Sequence, residues 1–282
     1  MSKKTRVSRY IYPASGTQEE RIAKALYDLE LDGMIPVFRE LAKKALLKQI
    51  TFYDFLESIL ETQYIWKEGV RVPLQEQAAK FPINGTVENY DFSLPKEINQ
   101  SLVFELASCR FIEQGENVIF VGPTGVGKSH LACALGRKAI GAGHKVKCFR
   151  LIDLIDQIEK KSNGEVSTQR NFLLSLINCE LLILDDMEYF EVTAVVSDFL
   201  YRLFLGRDDK KRPTIFTTNE SFEVWGRQLL GTDARAARLA DRILQYCHEV
   251  VILGDSQRIK DKLRALKQNK VKSNELVALI NI

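Results

Sequence analysis

One eight-residue run, GPTGVGKS at Gly122–Ser129, constrains the fold of this chain more than any other feature. It follows the apolar run NVIFV and leads into HLACALGRKAI, whose apolar residues recur at helical spacing. Every fixed position of the pattern G-x-x-x-x-G-K-[ST] is met. Glycines let successive backbone N–H groups curl toward a common point, and the start of the following helix adds partial positive charge there. Such a loop holds phosphate oxygens only if a strand launches it and a helix receives it. Its presence in that context commits the surrounding sequence to an α/β fold.

The rest of the chain agrees. KVKCFR at 145–150 reads as a strand before the helical LIDLIDQIEKK, and LLILD at 181–185 as a strand before a helix near 194–205. TIFTT at 214–218 reads as a further strand. Short β-branched runs alternating with helices indicate a parallel sheet covered on both faces. Residues 1–80 differ and read as a small all-helical domain. Ile22, Leu26 and Leu29 share one face, with Gly33 as a stop. A second helix is expected after Pro36, with Phe38, Leu41 and Ala45 packing, and a third after the Thr51/Asp54 capping pair, with Phe52, Phe55, Leu56, Ile59 and Leu60 on a broad apolar face. Pro73, Pro82, Gly85 and Pro95 interrupt the pattern between 70 and 95, which reads as a linker. The expected division is therefore 1–80 and 81–282. No internal repeat or low-complexity segment is seen.

Composition bounds the function classes. With 45% hydrophobic and 27% charged residues the chain is of ordinary globular type, and no apolar run is long enough to cross a bilayer. The basic start MSKKTRVSRY has no apolar segment behind it, so a secretory leader is not expected. The five cysteines show no paired spacing, which fits free thiols better than a disulfide framework or a zinc site. A net charge of +3 says little about partners, but residues 255–272 hold seven Lys/Arg against two Asp.

The chemistry centres on the glycine-rich loop. Gly122, Pro123, Thr124, Gly125, Val126, Gly127, Lys128, Ser129 and the adjoining His130 are the expected nucleotide contacts. Lys128 reaches the β- and γ-phosphates, and the Ser129 hydroxyl ligates Mg²⁺. The strand LLILD ends in two carboxylates. Asp185 is the expected magnesium ligand, a role that explains a carboxylate at the end of a buried strand. Asp186 stands where many oligomeric ATPases carry the glutamate that orients the attacking water. It is one methylene shorter, and Glu188 is a substitute base. Asn219, with Thr218 second, ends a strand expected beside LLILD and so near the γ-phosphate. Arg235, Arg238 and Arg242 recur on one helical face. Arg242 is the first choice for an arginine that reaches a neighbouring subunit's phosphate site, and Arg258 is expected to face the nucleotide of its own subunit.

Taken together, FELASCRFIEQGENVIFVGPTGVGKSHLACALG, LLILDDMEYF, TIFTTNESFEVWG and ADRILQYCHEVVILGDSQRIKD resemble the IstB-type transposition helper ATPases. These group with the DnaC-like helicase loaders among AAA+ proteins. The resemblance runs from about 88 to 262, and the helical N-terminal part is also similar to the family's appended domain. It implies a parallel-sheet P-loop AAA+ core and ATP and Mg²⁺ as cofactors. It also implies Walker A at 122–129, Walker B at Asp185 and Asp186, a first sensor at Asn219, an arginine finger at Arg242 and a second sensor at Arg258. Where the family pattern commonly has a glycine after the Walker B acids, this chain has Met187, Glu188 and Tyr189.

What the family does would then be expected here. That is ATP-dependent assembly of several copies on duplex DNA, remodelling of that DNA, and recruitment of a partner transposase, in the bacterial cytoplasm. Related ATPases face DNA with loops between the early strands and helices, near Lys160–Arg170 in this chain. Two other functions share the same core. One is a replicative helicase loader; the other is a nucleotide-switched scaffold with slow hydrolysis, suggested by Asp186 in place of Glu.

Overall fold

A computed structural model describes residues 13, 15–47, 49–162, 164, 166–187, 192–220, 229 and 233–256. The chain divides into two compact units, Met1–Leu74 and Gln75–Ile282.

In the first unit, α1 (Gln18–Asp28) opens on a capping box. Thr17 Oγ1 accepts from the Glu20 backbone N–H, and Glu20 Oε2 accepts from that of Thr17. The helix stops at Leu29, which is exposed rather than on the packed face. Gly33 lies beyond the stop, in a 3-10 turn over Asp32–Met34. It is needed for close approach, because a Cβ there would fall 2.5 Å from Cβ of Trp66. α2 spans Phe38–Leu46. α3 (Phe52–Ala79) starts on Thr51, whose backbone N–H and hydroxyl both donate to Asp54. The core consists of Met34, Phe38 and Ile59, with Ile22, Leu26, Leu41 and Phe55 packed against them. The broad apolar face expected on α3 is split: Phe55 and Ile59 pack, whereas Phe52, Leu56 and Leu60 are exposed.

α3 also corrects the expected linker. The helix runs through Pro73 to Ala79, and Lys80 ends it with φ at 57°. Proline forfeits one helical hydrogen bond, but Ala79 is buried and Glu76 pairs with Arg137 at 2.8 Å, which holds the last turn in place.

The second unit carries a six-stranded sheet. The strands are β1 (Glu97–Ile98), β2 (Asn117–Val121), β3 (Val146–Arg150), β4 (Leu181–Asp185), β5 (Thr214–Thr218) and β6 (Cys247–Leu253), in the order β1-β6-β2-β5-β4-β3. All neighbours pair in parallel except β1, which runs antiparallel to β6 at one edge. Every residue of β4 and β5 is buried, as befits parallel strands covered on both faces. The covering helices are α4 (Gln100–Leu106), α5 (Arg110–Gln114), α6 (Lys128–Gly141), α7 (Leu151–Ser162), α8 (Val166–Asn178), α9 (Ala194–Asp209) and α10 (Asp233–Gln245). The basic segment 160–170, expected as a loop, is mostly the end of α7 and the start of α8. All five cysteines are unpaired thiols.

Arg207, near the end of α9, is 2% exposed. Its guanidinium donates to the carbonyls of Leu176, Cys179 and Pro213 and to the Thr214 hydroxyl. Burial holds its pKa below the ordinary arginine value. This buried fork ties the ends of α8 and α9 to the start of β5.

Candidate nucleotide site

β2 ends at Val121, and α6 begins at Lys128. Between them Gly125 and Gly127 have φ of 85° and 101°, a region open to glycine at little cost. Side chains are excluded on a second count. A Cβ at Gly125 would meet Ser256 Oγ at 2.3 Å, and one at Gly127 would meet the Tyr90 ring at 2.5 Å.

Lys128 is 6% exposed and points back under the loop. Its ammonium donates to Gly122 O at 2.7 Å, Pro123 O at 2.9 Å and Asn219 Oδ1 at 2.6 Å. Asn219 in turn donates to Thr124 Oγ1 at 3.2 Å. The residue chosen from the end of TIFTT thus stands at the phosphate loop, because β5 lies between β2 and β4. Thr124, Gly125, Lys128, Ser129, Asp186 and Asn219 line a common cleft of about 190 Å³.

The two aspartates part company. Asp185 is 3% exposed and accepts from the Thr217 hydroxyl at 2.6 Å. Asp186 is exposed, with φ of 55°, and its backbone N–H donates to the same Thr217 oxygen at 2.9 Å. One buried hydroxyl therefore sets both the carboxylate of Asp185 and the turn that aims Asp186. Sequence reading passed over Thr217, since a threonine inside a β-branched run looks like ordinary strand propensity. Thr218, the second choice beside Asn219, instead turns its hydroxyl to the carbonyls of Met187 and Glu220, at 3.1 and 2.9 Å. Thr217→Val keeps the shape but leaves the Asp186 N–H and a buried carboxylate oxygen without this partner. Steady-state phosphate release is expected to fall at least tenfold, with a stability loss of about 1–3 kcal/mol in urea titration.

His130 lines the cleft, but its ring turns to the segment before the sheet. Nε2 lies 2.9 Å from Thr86 O, and since a carbonyl can only accept, that nitrogen carries the proton. Tyr90 stacks edge-on to His130 at 5.3 Å and donates to Val126 O at 3.0 Å. Burial first, and then the nearby Asp91, push its phenol up to about 12. The stretch 81–95 is therefore fastened onto the loop and α6.

Arg242 is exposed at the end of α10, where it meets Asp208 and Asp209. The neighbouring Ile243 carbonyl accepts from Asn117, the first residue of β2. Arg242 thus sits at the opposite end of the strands from its own phosphate loop, a strand length of about 15 Å away. Arg238 is exposed on the same helix. Glu188 and Arg258 lie outside the described residues.

The donor set fits a nucleoside triphosphate and a magnesium ion. Backbone amides, a buried ammonium and a helix start suit phosphate oxygens. A buried carboxylate and the Ser129 hydroxyl are hard oxygen ligands for Mg²⁺, which needs only one or two carboxylates and keeps several waters.

A mostly parallel sheet in this strand order, with the phosphate loop after β2, the acidic pair at the end of β4 and Asn219 after β5, defines a P-loop AAA+ ATP-binding protein. Solved structures agree on the fold. DnaI aligns over 65% of this chain and 98% of its own, at a TM-score of 0.52 and 19% identity. The DnaC helicase loader aligns over 62% and 99%, at 0.50 and 23%. Within that class, the chain belongs to the IstB-like ATP binding protein family, which matches residues 24–265. Two relatives are the putative ATP-binding proteins of insertion sequences IS21 from Pseudomonas aeruginosa and IS5376 from Geobacillus stearothermophilus. The first is 34% identical over 84% of this chain and 88% of its own. The second is 28% identical over 86% and 96%. No described helix is long and apolar enough to cross a membrane.

Proposed function

We propose that the protein is a DNA-dependent ATPase that assembles on duplex DNA in the bacterial cytoplasm and there recruits a partner transposase. The observation that carries the ATP-switched part of this reading is the cluster joining Lys128, Asn219 and Thr124, with Asp185 and Asp186 held together through Thr217. It couples the end of β5 and the turn after β4 to the place where a γ-phosphate would sit. Support for DNA and a transposase comes from the relatives, which are named as insertion-sequence proteins.

Lys128 and the loop amides bind the β- and γ-phosphates, and phosphate oxygens take over the lysine's carbonyl contacts. Ser129 and Asp185 would hold a magnesium ion, which would supply charge neutralisation at the phosphates. Asp186 orients water and accepts its proton, while Asn219 reads the γ-phosphate. Arg242, unable to serve its own site from the far end of the sheet, serves the site of an adjoining copy. The helical N-terminal part meets the partner protein.

Sedimentation and electron microscopy of the full chain with duplex DNA test this reading. ATP or a slowly hydrolysed analogue is expected to drive assembly, and that assembly should weaken steeply with salt because phosphate contacts dominate. DNA binding that is indifferent to nucleotide would overturn it.

A further inference from the structure

Arg242 carries the proposed contact between copies, but an exposed arginine needs something to aim it. α9 ends in Arg207, Asp208 and Asp209. Two carboxylates at a helix C-terminus oppose the helix dipole, where cations are favoured. Asp208 is also partly buried, which pushes its carboxyl up, although Arg242 pulls the other way. The visible compensation is a single nitrogen: Arg242 Nη1 lies 3.3 Å from Asp208 Oδ2 and 3.3 Å from Asp209 Oδ1. Among the described residues, the hydrogen bond that Arg242 makes is from Nη1, and none engages Nε or Nη2. An ion pair serving packing alone gains most by taking both edges of the fork, as bidentate pairs do. Here two carboxylates share one corner. Their base is rigid, because Arg207 immediately before them is fixed by buried carbonyls on three sides.

We infer that Asp208 and Asp209 form a clamp that positions Arg242, holding one corner of its guanidinium and leaving the other N–H groups for a phosphate bound in an adjoining copy. The clamp rests on the reading of Arg242 as a residue that acts across subunits. Asp208 and Asp209 are positioning residues; neither touches the nucleotide.

Mixed assemblies of full-length variants test it. A D186N subunit is expected to bind ATP and assemble without hydrolysing it and keeps Arg242, whereas an R242A subunit has the site and lacks the arginine. Mixed on duplex DNA with ATP, the two should regain turnover that neither shows alone. A D186N subunit that also carries D208N and D209N should rescue R242A with kcat about tenfold lower, KM for ATP within twofold, and an unchanged melting temperature. Equal rescue with and without the aspartates would overturn the clamp and leave the arginine's role across subunits standing. No rescue in the first mixture would overturn that role and the clamp with it. If the aspartate variant fails to co-sediment with R242A subunits on DNA, the aspartates hold copies together rather than aim the arginine, and the clamp falls.

Discussion

Lys128→Ala is expected to abolish ATP binding at concentrations that saturate the native protein, and with it turnover and assembly on DNA. The ammonium is buried to 6% exposure among Gly122 O, Pro123 O and Asn219 Oδ1, so its charge acts where water screens poorly. Among the described residues, no other lysine or arginine lines the cleft. The substitution also strips a donor from two carbonyls and from Asn219, so a modest loss of intrinsic stability, about 1–3 kcal/mol, should accompany it. Thermal melting separates the two effects. ATP at one hundred times its Kd should stabilise the native protein by about 2.7 kcal/mol and leave the variant unmoved. A variant melt that still rises with ATP would show that phosphate is held elsewhere, and would undo the assignment of the site.

Sequence legibility followed the physics of each element. The strand–loop–helix at 117–141 was readable because phosphate binding needs glycine at left-handed positions and a helix start just beyond. β4 and β5 were readable because strands buried on both faces are continuous apolar runs. Asn219 could be placed because a polar residue at the end of such a run has few places to go. Thr217 was hidden, since its hydroxyl matters only once β5 is known to lie against the turn after β4. The stretch 81–95 looked slack because proline and glycine interrupt it, yet it is fixed through a backbone carbonyl on His130 and a phenol on Val126, contacts that leave no periodic trace. Arg207 lies near a helix end beside Asp208 and Asp209, company that suits a solvated face. Its burial depends on carbonyls contributed by the end of α8 and by the segment before β5, which no local pattern announces.

Asp186→Asn is expected to lower kcat by about 10²–10⁴, the range for losing a positioned proton acceptor, while ATP binding and ATP-dependent assembly persist. Asparagine suits the test because it tolerates the left-handed backbone held by Thr217 as well as aspartate does, so the turn need not move. Only the charge is lost. The contrast is Asp185→Asn, which removes the buried carboxylate proposed to hold magnesium and should weaken magnesium-dependent nucleotide binding itself. Single-turnover hydrolysis beside equilibrium ATP binding distinguishes the two. Asp186→Glu then asks what the missing methylene does. If the short side chain limits how closely water is held, the longer one should speed hydrolysis and shorten the lifetime of assemblies on DNA, despite the higher cost of a left-handed glutamate. Undiminished single-turnover hydrolysis in Asp186→Asn would remove Asp186 from the chemistry and move the proton acceptor to another group, with Glu188, two residues along the chain, the first to be substituted in the same assay. A rate that falls in Asp186→Asn and rises in Asp186→Glu would tie the persistence of the assembly to the length of one side chain.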